Sequence, residues 1–137
     1  MNRLSIFSTL LAIVFLAAQC EENTTAKSLE GLWNCTSIAG LGKPEAATPT
    51  LQFSVADKNA TGNGGCNAWF ATFQADDNGA IKFGGIGATK MACNDDRAQI
   101  ESAFFNALRE ADSYKFEPGG RLKLSKGKME LAAFEKQ

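Results

Sequence analysis

Histidine is absent from this 137-residue chain. That absence removes the imidazole on which Ser-His-Asp and Cys-His catalysis depends, and with it a common zinc ligand. None of the four cysteines belongs to a Cys-x-x-C pair, so a thioredoxin-like redox site is not expected, nor a metal site built from Cys35, Cys66 and Cys93. Proline is scarce, at three residues, and 45% of the chain is hydrophobic, which argues against disorder. The formal net charge is -1, with no cluster of Lys and Arg and hence no electrostatic footprint for nucleic acid. Charged runs such as Asn94-Asp95-Asp96-Arg97 are short and mixed, as on an ordinary solvated surface. The longest apolar stretch, Leu4 to Ala18, falls short of the ~20 residues that span a bilayer as a helix.

What is present begins with an address. MNRLSIFSTLLAIVFLAAQC has a basic residue at Arg3, an uncharged apolar stretch and small residues before Cys20, the pattern of a secretory signal. Residues 1–19 are read as a signal peptide, and Cys20 as the residue lipidated in a bacterial lipoprotein. Ala17 and Gln19 stand where such signals usually carry Leu and a small residue, so cleavage near Ala18 with a soluble, secreted product is the alternative. On either route the folded part is exported, to the periplasm or the outer membrane, where disulfides persist. Residues 20–28 are polar and read as a tether. The domain is expected over residues 29–137.

Within it the hydrophobic period is mostly two. Leu32 to Ile38 is β-prone, with Trp33 and Cys35 on one face, and Leu51, Phe53 and Val55 alternate with polar residues. Asp57 to Gly65 is rich in breakers and predicts a turn. Cys66 to Phe73 predicts a strand, Asp77-Asn78-Gly79 a tight primed hairpin, and Ile81 and Phe83 the returning strand, with Gly84, Gly85 and Gly87 marking a bulge. The period then changes. Asn94, Asp95 and Asp96 suit a helix start, and Ile100, Phe104 and Leu108 recur every four residues, which predicts one amphipathic helix of about three turns. Tyr114–Phe116, Leu122–Leu124 and Met129–Phe134 return to strands. Short strands joined by tight turns require antiparallel neighbours. The fold class expected is therefore α+β: a curved, largely antiparallel sheet tending toward a barrel, with one helix packed on it.

Few residues invite chemistry. Nothing near Cys66 in sequence supplies a base or lowers its pKa, and Gly62-Asn63-Gly64-Gly65 lacks the lysine and following helix of a phosphate loop. Asn67 is expected to hydrogen-bond backbone in its own loop. Lys90 and Arg97 are the candidates for anion binding beside the helix start. Asn23, Asn34 and Asn59 begin Asn-x-Ser/Thr sequons that read as chance matches. Trp33, Phe53, Trp69 and Phe83 either fill the sheet's interior or line a ligand pocket there. Cys66, at a strand's beginning, and Cys93, at a strand's end, are expected to lie side by side and form a disulfide. A reduced, packed pair and competition from Cys35 remain open.

Gly65-Cys66-Asn67, Trp69, Phe73, Thr89-Lys90-Met91-Ala92-Cys93, the helix from Ile100 to Leu108 and the late Leu122-x-Leu124 together resemble the META domain, the family that includes the heat-shock protein HslJ. The resemblance covers about Leu29 to Phe134. It implies a small exported or lipid-anchored domain, not an enzyme, with no cofactor and a binding or stress-protection role. Cys35 departs from it, standing where an ordinary apolar residue is expected. The partner implied is an unidentified envelope protein or small ligand, with the membrane reached through the lipid anchor and the domain itself a monomer.

Overall fold

Residues 25–137 are described by the computed structural model. The expected signal peptide, Cys20 and most of the tether lie outside the described residues. Ala26–Leu29 form a short 3-10 helix with Leu29 fully buried. The strands are β1 (Gly31–Ile38), β2 (Thr50–Ser54), β3 (Asn59–Asn63), β4 (Ala68–Ala75) and β5 (Ile81–Ala88). Helix α1 (Asp95–Glu110) follows, then β6 (Ser113–Phe116), β7 (Leu122–Lys126) and β8 (Met129–Lys136). They form one antiparallel sheet in the order β5-β4-β3-β2-β1-β8-β7-β6. The sheet curls into a half-barrel with α1 packed on it, an α+β architecture as expected.

The edges of the sheet explain where the helix goes. β5 and β6 meet at one place: Ala80 bridges Ser113, Ile81 N–H donates to the Asp112 carbonyl at 3.1 Å, and Tyr114 N–H donates to the Gly79 carbonyl at 2.8 Å. Continued in that antiparallel register, Ile81 to Ala88 would face residues 105–112, and those belong to α1 and its exit. The half-barrel therefore cannot close with strands along that side. The helix covers the gap, laying Ile100, Phe104, Phe105, Ala107 and Leu108 into the concave face. Asn94 caps it, its side chain accepting from Arg97 N–H at 3.0 Å, and Asp95 and Asp96 complement the positive end of the dipole.

Four local expectations need correction. The breaker-rich stretch Asp57 to Gly65 contains β3, a strand whose sequence, Asn-Ala-Thr-Gly-Asn, buries Ala60 alone and so lacks an apolar alternation. The chain pairs there because both neighbouring strands offer it full ladders. At the β4–β5 hairpin only Gly79 has a positive φ (88°), so the turn is not a two-residue primed one. The Asp76 carboxylate instead accepts from the N–H groups of Asn78 and Ala80. The helix has 16 residues, about four turns against the three expected, because polar residues before Ile100 and after Leu108 extend it beyond the apolar stripe. Cys66 precedes β4 and Cys93 lies in a loop beyond the end of β5, so neither is within a strand. The glycine bulge is present: the β4–β5 register shifts opposite Gly84 to Gly87, and Gly85 has φ 59°.

The interior is filled by rings. Phe53 meets Phe73 at 4.8 Å and Phe83 at 6.0 Å between centroids, Trp69 meets Phe104 at 5.6 Å, and Trp33 meets Phe116 at 5.8 Å. Trp33 also donates from its indole to the Leu29 carbonyl at 2.8 Å. Cys35 lies on the same face as Trp33, buried and unbonded to another cysteine. Burial pushes its thiol up to about 12. In the unfolded chain the same thiol ionises near pH 8.5 or so. The unfolded state thus loses its proton first. Stability from this site is complete below about pH 8.5 and falls as pH rises toward 12. Tyr114, whose hydroxyl donates to the Asp76 carbonyl at 2.6 Å, is pushed up to about 12 as well, chiefly by burial, and adds a second loss above about pH 10. Urea titrations between pH 7 and 10 should show this decline. In Cys35→Ala the portion that begins below pH 10 should be absent, at a cost near neutrality of about 1 kcal/mol.

Candidate functional site

The two cysteine motifs converge at one end of the helix. After β3 the chain must pass over the first turns of α1, and glycine lets it come close. A Cβ at Gly64 would sit 2.8 Å from the Phe105 ring and 3.0 Å from the Glu101 carboxylate, while Gly65 has φ 120° and lies against Ile100. Asn63 shapes the turn, its side chain accepting from Gly65 N–H at 2.8 Å. This delivers Cys66 and Asn67 to the helix surface.

Asn67 is the buried polar residue at this junction. Its Nδ2 donates to Glu101 Oε1 at 2.7 Å, and its Oδ1 accepts from Met91 N–H at 2.6 Å and from the Thr89 hydroxyl at 3.2 Å. The other Glu101 oxygen, Oε2, accepts from the backbone N–H of Asn67 at 2.6 Å and of Cys66 at 3.1 Å. One turn earlier on the helix, Arg97 Nε donates to the Gly65 carbonyl at 2.7 Å. The helix therefore holds three successive residues, Gly65, Cys66 and Asn67, with a cation and a carboxylate spaced four apart. The Cys66–Cys93 disulfide, with Cα atoms 6.1 Å apart, covalently joins the same two segments. Its formation settles the pairing left open above and leaves Cys35 free.

These contacts revise the roles expected for individual residues. Asn67 reaches out of its own loop to the second motif, tying Thr89 and Met91 to the helix. Arg97 is engaged by the Gly65 carbonyl, whereas Lys90 is exposed and lines a surface groove of about 360 Å³ with Gly87, Thr89, Met91, Phe105 and Arg109. Among the described residues no group of three metal-ligating side chains converges. Glu101 was not expected from sequence. Its signal is there in retrospect: Arg97 and Glu101 flank Ile100 on one helix face, and opposite charges four apart beside an apolar stripe can grip a backbone as well as each other.

This is a clasp, with the carboxylate, the amide and the disulfide gathered where the sheet's last connection meets the helix. A curled antiparallel half-barrel clipped in this way to its one long helix defines a small disulfide-stapled α+β domain. Residues 26–137 match the family model of the META domain, and the chain belongs to that family. A comparison with curated proteins gives no match. An NMR structure of a protein from Burkholderia xenovorans is similar at a TM-score of 0.64 and 24% identity, over 81% of this chain and 85% of the other. A second NMR structure is similar at a TM-score of 0.57 and 19% identity, over 77% of this chain and 88% of the other. At those identities the likeness is one of fold.

Removing the carboxylate leaves three donors without their acceptor, so Glu101→Ala should destabilise by about 3 kcal/mol. Opening the 27-residue loop in Cys66→Ser/Cys93→Ser should cost about 3.5 kcal/mol on loop entropy. Both act at one junction, so the triple variant should lose measurably less than the sum. Equilibrium unfolding in urea checks this; strict additivity would mean that the two ties act independently.

Proposed function

We propose that the chain is a non-enzymatic binding domain of the cell envelope, exported by residues 1–19 and held at the outer membrane by a lipid on Cys20. The observation that carries the reading is the clasp. The polar residues that mark the family motifs, Asn67 and Thr89, are turned inward onto the helix and the neighbouring loop. Lys90 and Met91 project from that cluster. The free thiol among the described residues, Cys35, is buried and held protonated, in no state to act as a nucleophile. A persistent disulfide fits an extracytoplasmic setting. A role under heat or other stress has its support in the family's heat-shock member alone. The alternative, a carrier holding a small ligand inside the curved sheet, has less in its favour, because Trp33, Phe53, Trp69 and Phe83 occupy that space.

Location is the first test. In Cys20→Ser the protein should leave the membrane fraction or accumulate unprocessed, as read by fractionation and intact mass. Unchanged fractionation with an unchanged mature mass would remove the lipid anchor from the account and leave a periplasmic or secreted domain. Binding is the second. Photocrosslinkers placed across the surface in intact cells should yield a specific adduct from some face, and silence from every face would contradict a binding role.

A further inference from the structure

The two sulfurs of the Cys66–Cys93 bond stand in different surroundings. Cys66 is 4% exposed and directly follows the turn that Gly64 and Gly65 bring against Phe105 and Ile100. Cys93 is partly exposed, and its neighbours Met91, Ala92 and Asn94 are open to solvent. It lines a groove of about 300 Å³ with Met91, Ala98 and Ser102 among others, and Cys66 is not among the walls. A reagent arriving from solvent therefore reaches the bond from the Cys93 side.

Thiol–disulfide exchange is sensitive to such a difference. A thiolate attacks one sulfur and expels the other, so the accessible sulfur takes the new bond and the shielded one leaves. We infer that Cys93 is the site at which this bond exchanges with an external dithiol, Cys66 being the leaving sulfur. In the first step a thiolate of the dithiol bonds to Cys93 Sγ and the Cys66–Cys93 bond breaks. Cys66 departs with the electron pair and takes up the proton that the dithiol gave up. In the second step the other thiol of the dithiol ionises and displaces Cys93, which leaves with the electron pair and takes that proton. The protein's disulfide is reduced to two thiols, and the dithiol is oxidised to a disulfide. This site is independent of the binding role proposed above.

Exchange would be a dead end if cutting the bond let the two motifs drift apart. The polar contacts prevent that. On one side Glu101 and Arg97 hold residues 65–67 to the helix. On the other, Asn67 accepts from Met91 N–H and the Thr89 hydroxyl, and Thr89 N–H donates to the Ala68 carbonyl at 3.0 Å. Asn94, next to Cys93, caps α1. The reduced cysteines thus stay neighbours, and closing the bond again needs no search by a free 27-residue loop. Cys35 takes no part, being buried in β1 with its thiol held protonated.

In the full chain in detergent, dithiothreitol is expected to reduce the bond without urea, while the amide shifts of the β1–β8 ladder stay in place. Iodoacetamide should then label Cys93 at least about tenfold faster than Cys66. Peptide mapping locates each adduct, so Cys20 and Cys35 are read apart. Oxidised glutathione should form a mixed disulfide with Cys93 in Cys66→Ser and little with Cys66 in Cys93→Ser. Both variants lack the same bond, so a difference between them reports the sulfur and not the loss of the staple. Thioredoxin carrying Cys-x-x-Ser in place of Cys-x-x-Cys should be trapped on Cys93 where the dithiol is a protein's. Reduction by dithiothreitol with no trapped thioredoxin would assign the exchange to small dithiols, and either result supports Cys93 as the point of entry. Labelling of Cys66 equal to or ahead of Cys93 would overturn the assignment. So would a bond that resists dithiothreitol until the domain unfolds, or collapse of the native amide spectrum on reduction.

Discussion

Glu101 is asked to do two things that pull against each other: sit in a helix beside an apolar stripe, and carry a charge. It manages both because the GNGG turn brings two backbone N–H groups and the Asn67 amide to its two oxygens. Hydrogen bonds to an ionised acceptor are about twice as strong as neutral ones, and this cluster is partly shielded from water. The consequence reaches the whole sheet. α1 is the cover over a gap that the strands, by their own register, leave open. If its first turns lift, Phe104, Leu108 and the rings of Trp69 and Phe134 packed on them lose that cover. The disulfide and the carboxylate hold that end, while the continuous chain from Ala111 through Asp112 to Ser113 holds the other.

Much of this was legible in the sequence, and what was not has physical reasons. Alternation located β1, β2, β5 and β7, and the four-residue spacing of Ile100, Phe104 and Leu108 located α1. β3 escaped because a strand between two willing neighbours needs no apolar face of its own. The hairpin turn escaped because an aspartate two residues ahead of Asn78 rewrote the local hydrogen bonding. At the site, the cysteine pair could be anticipated from its flanking segments. Glu101 is marked only by its spacing from Arg97 beside Ile100, since two of its three partners are backbone amides more than thirty residues away, and a backbone amide leaves no mark in a sequence. Arg97 was noticed for its charge and found a carbonyl in place of an anion.

The first motif is buried against the helix, whereas Thr89, Lys90 and Met91 of the second are exposed. Gly65, Cys66 and Asn67 secure the fold by their contacts with Arg97, Glu101 and Cys93. The exposed Phe70, which lies over Gly87, is another apolar feature, but it also shields a glycine that gives its strand no side chain to pack. A domain with an edge strand must also avoid indiscriminate pairing, and a glycine bulge flanked by lysines limits which chains can add to it.

The central claim is that carboxylate, amide and disulfide act as one clasp on the helix. Native-state hydrogen exchange on Asn67→Ala tests it most directly. The account predicts that the amides of Cys66, Asn67 and Met91 and those of the first two turns of α1 lose protection together, while the β1–β8 ladder keeps its own. Loss confined to the loop amides, with the helix as protected as in the parent protein, would contradict it.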